Sequence, residues 1–187
     1  KHPVIRDIQI VVPMKEKGDL SQLALNNEIQ KIVNPSDRKY VQIGKKFVIK
    51  VGDKIINRKN NYKVFDIEYK QAQVFNGSMG IVEEIYDNYM IIDFFDIGKL
   101  RITSDLYMGL QLAYAITCHS AQGSQWRTTI VALDYSSFIL LSSEWVYTAI
   151  TRAAKMCYLV VETKALRYAI TNTKIKGRDT FLKDLLE

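Results

Sequence analysis

Two segments of this 187-residue chain place polar groups where they could handle phosphate. The first runs Ala113-Tyr114-Ala115-Ile116-Thr117-Cys118-His119-Ser120-Ala121-Gln122-Gly123-Ser124-Gln125-Trp126. Its apolar start reads as a strand that delivers Thr117, His119, Ser120 and Gln122 to its carboxyl end, the edge at which α/β sheets bind ligands. Small residues and Gly123 let the backbone approach an anion closely. An ordinary turn with a satisfied histidine would share this pattern. The second segment is Tyr147-Thr148-Ala149-Ile150-Thr151-Arg152-Ala153. On a helix, Trp145, Thr148 and Arg152 fall on one face, while Val146, Ile150 and Ala153 fall on another that can pack on a sheet. An arginine fixed in this way can stabilise charge on a transferred γ-phosphate. A surface arginine in a salt bridge is the alternative.

The elements that must position these groups follow from periodicity and turn residues. Ile8–Val12 reads as a buried strand ended by Pro13. Gly18-Asp19 opens a helix in which Asp19 caps and Gln22 returns the bond. Leu25, Ile29, Ile32 and Val33 form its apolar face, and Asn34-Pro35 stops it. Between about Lys39 and Asp105 the pattern turns β-rich, with short runs at 46–49, 54–57, 63–69, 80–85, 89–94 and 99–102. Gly52-Asp53, Asn76-Gly77 and Asp96-Ile97-Gly98 separate several of them, and this predicts a small barrel or sandwich without a helix. The α/β pattern then returns: strands at 112–117, 129–133 and 157–161, a helix from the Ser142/Ser143 caps to about Ala154, and a short helix at 165–171. The charged segment 174–187 reads as a terminal helix.

Composition narrows the function classes. The chain is 48% hydrophobic and 25% charged, with net charge +6. No apolar run approaches the roughly 18 residues that span a bilayer, and no export signal is visible, so no membrane partner and a cytoplasmic, intracellular setting are expected. Cys118 and Cys157 are too few for a disulfide framework and read as core residues. Between Lys39 and Lys70 nine basic residues face Asp53, Asp66 and Glu68, and the rest of the chain balances to neutrality. Such a basic segment suits a polyanion or a merely solvated lysine-rich surface. Within it, Lys59, Asn60, Asn61 and Tyr62 follow Arg58 and combine cations, amides and a ring able to stack on a base; a plain turn has the same composition. No carboxylate or histidine cluster has metal-ligand spacing, so a self-sufficient nuclease and a metal site are not expected. No Gly-x-x-x-x-Gly-Lys-Ser/Thr loop occurs, and the Walker B-like run Met90-Ile91-Ile92-Asp93 lies inside the β-rich segment.

Together the two phosphate-handling segments, about 30 residues apart, resemble motifs V and VI of superfamily 1 helicases. Gln122-Gly123-Ser124 and Tyr147–Ala153 are similar to the RecD-type spelling, while His119-Ser120-Ala121 is closer to the UvrD-type one. Val12-Pro13-Met14, with Gly18 and then Leu25-Asn26, resembles the motif IV region. Val51-Gly52-Asp53-Lys54, Asn60-Asn61-Tyr62 and Val74-Phe75-Asn76-Gly77 resemble the stretch where that branch inserts a small barrel of the Src-homology-3 type. These matches cover most of the chain from Ile10 to Val161.

The resemblance implies an α/β, RecA-like second motor domain at 1–38 and 106–187, interrupted by the barrel at 39–105. It implies that Arg152 reaches the γ-phosphate of ATP, and that Gln122, Gly123 and Gln125 lie at the nucleotide. Gln125 departs from the glutamate usual at its position, which leaves it able to accept a hydrogen bond but uncharged. Thr117 and His119 would contact the phosphates of single-stranded DNA, and Lys59, Asn60, Asn61 and Tyr62 would extend that contact. ATP and Mg²⁺ would have their main ligands on a first motor domain that this sequence lacks. The expected function is that of a fragment of an ATP-dependent DNA helicase, acting on single strands and duplex junctions with its N-terminal motor domain as partner, and inactive alone. A nucleic-acid or protein binding module without motor activity is the alternative.

Overall fold

A computed structural model describes residues 3–35, 38–45 and 47–173. His2, Lys46 and the expected helix at 174–187 lie outside them. The chain opens with α1 (Pro3–Asp7), β1 (Ile8–Val12) and α2 (Gln22–Val33). Eight antiparallel strands follow: β2 (Tyr40–Ile43), β3 (Phe47–Lys50), β4 (Lys54–Asn57), β5 (Asn61–Asp66), β6 (Gln71–Val74), β7 (Met79–Ile85), β8 (Tyr89–Phe94) and β9 (Gly98–Thr103). The last part holds β10 (Leu110–Leu112), β11 (Ala115–Thr117), β12 (Trp126–Leu133), α3 (Ser143–Ile150), β13 (Ala153–Val161) and α4 (Thr163–Thr171).

Three sheets result. β11, β1, β12 and β13 form a parallel sheet in that order. A seven-stranded antiparallel sheet has the order β10-β4-β7-β8-β9-β5-β6, and β2 and β3 pair as a hairpin. Each larger sheet has its own apolar cluster. Ile55, Val64, Val82, Met90, Ile92, Phe94, Leu100 and Ile102 alternate inward in the antiparallel part, as half-buried strands require. Val11, Ile116, Val131 and Leu133 fill the parallel part, with Val146, Ala149, Ala165 and Ala169 of the two helices over it.

The strand expected at 112–117 is two strands in different sheets. Leu110–Leu112 pairs with β4, whereas Ala115–Thr117 pairs with β1. Ala113 and Tyr114 are the joint. β2 and β6 were not visible in the sequence, because Tyr40–Ile43 and Gln71–Val74 are short and mostly solvent-facing.

The first long helix also differs from its sequence pattern. Ser21, not Asp19, is the N-cap, accepting from the Ala24 amide, and Gln22 is the first helical residue. The helix does not bury the Leu25–Ile29–Ile32–Val33 stripe: Ile32 is 78% and Val33 46% exposed. It buries Gln22, Asn26 and Gln30, with Asn34 at its C-cap. These residues recur every four positions and form one stripe, and the side-chain amides of Asn26, Gln30 and Asn34 meet polar partners rather than apolar side chains. Asn26 Nδ2 donates to the Ala115 carbonyl (2.8 Å) while the Ala115 amide donates to Asn26 Oδ1 (2.9 Å). A side-chain amide thus satisfies an edge of β11 as a neighbouring strand would.

Asp53 and Lys54 stitch the two sheets together. The Asp53 side chain, 0% exposed, accepts from Asn34 Nδ2 (2.8 Å), the Tyr114 hydroxyl (2.9 Å), the Lys50 amide (2.7 Å) and Gln30 Nε2. Lys54, 1% exposed, turns its Nζ towards the carbonyls of Ile5 (3.0 Å) and Ile8 (2.9 Å) and Gln9 Oε1 (2.9 Å). Gln9 Nε2 continues to the carbonyls of Ala113 and Tyr114, each at 3.1 Å. Burial pushes the Lys54 ammonium down to about 7, with the Asp7 carboxylate opposing the shift. Burial and the Asp53 carboxylate push the Tyr114 phenol up.

Two measurements test this seam. Since the folded chain holds the Lys54 proton less readily than the unfolded chain, the unfolded state binds more protons between about pH 7 and 10.5. Stability should therefore rise with pH above 7, by at most about 1.4 kcal/mol per unit from this residue. Urea denaturation of wild type and Lys54→Met at pH 7, 8 and 9 should show the rise only in wild type. Tyr114→Phe should lower stability by about 1.5–3 kcal/mol, the worth of a hydrogen bond to a charged group; an unchanged urea midpoint would remove Tyr114 from the seam.

Candidate nucleotide and nucleic-acid site

Thr117 is the last residue of β11 and is half-buried. A 3-10 turn at His119–Ala121 follows directly. Its Ser120 amide donates to Thr117 Oγ1 (3.3 Å), and the two hydroxyl oxygens lie 2.9 Å apart. His119 is exposed at the turn, as are Gln122, Gly123 and Gln125 in the segment after it. Gly123 has φ +82°, which an L side chain rarely adopts, so the reversal into β12 depends on glycine. In eight residues the chain passes from the carboxyl end of β11 to the amino end of β12, with β1 between these strands.

Arg152 lies where that passage ends. Its helix is shorter than its sequence pattern suggests, because α3 stops at Ile150 and Ala153 already belongs to β13. Arg152 therefore projects from the turn between helix and strand rather than from a helix face shared with Trp145 and Thr148. Its Nε donates to the Thr148 carbonyl (3.1 Å), Nη1 to the Ser124 carbonyl (3.1 Å) and Nη2 to Thr151 Oγ1 (3.3 Å). Gln125 Nε2 reaches the Thr151 carbonyl (3.4 Å), and the Trp126 amide donates to the Arg152 carbonyl (2.9 Å). The guanidinium is held by carbonyls and a hydroxyl, which orient its positive charge without cancelling it. Beside it, Arg6, Asp7, Ser124, Gln125, Trp126 and Arg127 line an open cleft. Burial pushes the Cys118 thiol up to about 11, against the opposing Arg152 charge, which keeps it protonated and unreactive.

A second group of candidates belongs to the antiparallel sheet. Arg58, Lys59 and Asn60 form the tight connection between β4 and β5, and Asn61 and Tyr62 open β5. Buried Asn57 fixes this connection by donating to the Lys59 (2.5 Å) and Phe75 (2.9 Å) carbonyls. Asn60 Oδ1 accepts from the Asn76 amide (2.8 Å), so the Asn76-Gly77 turn supports the loop. Tyr62 is exposed and meets exposed Phe75 edge to face at 6.2 Å. The sequence places Arg58, Phe75 and Ser120 beside the candidate residues but assigns none of them a role. Arg58 Nη1 donates to Ser120 Oγ (3.1 Å) across 62 residues of sequence and brings the loop onto the turn after β11. Thr117, Ser120 and the Lys59–Tyr62 loop are thus gathered at one end of the strands, and Arg152 with Gln125 at the other.

Residues 112–160 match the UvrD-like helicase C-terminal domain, and residues 25–94 match the SH3 domain of ATP-dependent RecD-like DNA helicases. The chain thus resembles the RecD-like helicases in both parts of its structure. It is 31% identical over 175 residues to the ATP-dependent RecD2 DNA helicase of Deinococcus radiodurans, covering 94% of this chain and 23% of that protein. It is 34% identical over 184 residues to an uncharacterized protein of Methanocaldococcus jannaschii, covering 88% of this chain and 16% of that one. The chain thus spans a quarter or less of these relatives. Its fold is also that of Bacteroides Pif1, solved bound to single-stranded DNA: the TM-score is 0.57 at 14% identity, over 84% of this chain and 42% of that one. The fold is accordingly α/β, a RecA-like parallel sheet combined with an SH3-like β-module.

The Arg152 contacts give a direct test. Arg152→Ala should leave the fold intact but release the 122–126 segment. Amide exchange there should quicken by about tenfold, the equivalent of one or two lost hydrogen bonds. Unchanged protection would mean that the guanidinium does not hold the segment.

Proposed function

We propose that this chain is the arginine-finger half of a composite ATP site in a DNA helicase that couples hydrolysis to movement along single strands and to duplex separation. The observation that carries the reading is the hydrogen-bonded union of Arg152 with the segment after β11, through the Ser124 carbonyl and the Thr151–Gln125 contact. In this reading Arg152 stabilises charge on the transferred γ-phosphate. Gln122, Gly123 and Gln125 border the nucleotide, and Gln125 offers an uncharged acceptor to the ribose. Thr117 and His119 hold backbone phosphates of the strand, and the Lys59–Tyr62 loop extends the track with cations, amides and a stacking ring.

The 187 residues contain no phosphate-binding loop. The reading therefore assigns the main ligands of ATP and Mg²⁺ to a first motor domain, with which this chain would close a cleft. Mg²⁺ bound there would neutralise the phosphate oxygens; this chain's own part is the guanidinium and its orientation. We assign residues 1–38 and 106–187 to the motor and 39–105 to the inserted barrel, with Leu110–Leu112 crossing over to complete the barrel's sheet by pairing with β4. Among the described residues no helix is long and apolar enough to cross a membrane, and an intracellular site of action goes with the reading.

Joining the chain to a phosphate-loop motor domain of a RecD-like helicase supplies the test. The chain alone should hydrolyse no ATP, and the joined protein should show DNA-stimulated hydrolysis. Arg152→Ala should lower that rate by about 10³-fold while single-strand binding stays within about twofold, the margin of a charge outside the DNA track. Near-normal turnover in Arg152→Ala would sink the finger assignment. A joined protein that binds DNA but never hydrolyses ATP would favour a binding module.

A further inference from the structure

The contact between Arg58 and Ser120 has a chemical consequence beyond holding two elements together. Arg58 is half-buried at the start of the β4–β5 loop, with its amide on the Gly109 carbonyl (2.7 Å). Its guanidinium spends Nη1 on Ser120 Oγ, and no described carboxylate forms an ion pair with it. Arginine carries five N–H donors in a rigid fork and no acceptor, so most of that fork is left for another acceptor. Ser120 Oγ in turn lies 2.9 Å from Thr117 Oγ1. The two hydroxyls share one bond, so whichever donates in it, one hydroxyl hydrogen remains for a ligand. Ser120 accepts from a cation, and this polarises that remaining hydrogen and makes it a stronger donor.

We infer that Arg58, Ser120 and Thr117 together form one phosphodiester-binding site, with the cation supplied by the SH3-like module and the hydroxyls by the motor strand. The inference rests on the nucleic-acid reading above and adds to it two ligands and a division of labour. One backbone phosphate is gripped from both parts at once, so a shift of the turn after β11 changes the hold of the barrel on the same nucleotide. The ligand is the backbone of a single strand rather than the phosphates of ATP, because the site lies at the carboxyl end of β11 and the Arg152 guanidinium at the amino end of β12. Exposed Tyr62 and Phe75, farther along the same loop and its neighbour, lie where bases beside the gripped phosphate would stack.

The experiment is fluorescence anisotropy of a labelled oligo(dT) with the full 187-residue chain across a series of salt concentrations. Arg58→Gln should weaken binding about tenfold, as the loss of a charged hydrogen bond does. It should also reduce the slope of log Kd against log salt by about 0.7, one single-strand phosphate contact. Arg58→Lys should keep the slope, and Ser120→Ala should weaken binding while leaving the slope unchanged, since it removes no charge. Circular dichroism and the urea midpoint establish that each variant folds, and Arg58→Ala repeats the slope measurement independently. A wild-type slope in both neutral variants overturns the inference, even if affinity falls, because Arg58 would then only brace the turn. If that happens while Thr117→Val still weakens binding, the nucleic-acid reading survives without this site. Absence of oligo(dT) binding by wild type overturns both.

Discussion

The buried Asp53 carboxylate is the interaction on which this architecture turns. An ionised carboxylate removed from water costs several kcal/mol unless donors replace its hydration. Here four donors come from three places: Gln30 and the C-cap Asn34 of α2, the Lys50 amide at the end of β3, and the Tyr114 hydroxyl of the joint after β10. The first helix, the hairpin, the antiparallel sheet and the joint are therefore solvated by one another. Separating any of them would leave a charge or an amide unsatisfied. The neighbouring Lys54 repeats the arrangement with opposite sign towards α1 and β1.

This constraint places the candidate site. Leu110–Leu112 is a strand of the antiparallel sheet, and three residues later Ala115–Thr117 is a strand of the parallel one. Between them, the Tyr114 side chain is bound to Asp53, and its carbonyl is bound to Gln9. The direction in which β11 presents Thr117 is thus set by the barrel seam. Asn26 then satisfies Ala115 on the same strand, so a helix with a polar buried stripe positions the strand that carries Thr117.

Much of this was legible in the residues, and the parts that were not share a cause. Ile8–Val12, Lys54–Asn57 and Tyr89–Phe94 emerge as strands with the expected bounds, because apolar runs and turn residues report local burial well. The same logic misplaces α2. Hydrophobic periodicity assumes that the buried face is apolar, whereas Asn26, Gln30 and Asn34 are buried because backbone groups and a carboxylate need their amides. The paired segments around Thr117 and Arg152 were readable from their spelling, though not the end of α3 at Ile150, since Thr151 and Arg152 continue the helical pattern without a stop residue. Arg58 and Ser120 could not be paired from the sequence, because nothing local relates a barrel loop to a turn 62 residues away.

The connection from Thr117 to Trp126 is tied at both ends to groups proposed to touch phosphate. At its start the Ser120 hydroxyl is fixed by Thr117 and Arg58; at its finish the Ser124 carbonyl and Gln125 are fixed by Arg152 and Thr151. Between them the exposed Gln122-Gly123 reversal relies on a positive φ, while buried Ala121 anchors the turn to the core of the parallel sheet. A short segment held at both ends by hydrogen bonds and anchored at Ala121 loads those bonds when either end is displaced. If Arg152 were drawn towards a nucleotide, the Ser124 carbonyl would have to follow or lose its donor. The hydroxyl pair at the far end would then be displaced relative to Arg58, which the Asn57-braced loop holds in place. The same hydrogen bonds that shape the two sites thus provide a physical path by which occupation of one would alter the grip of the other.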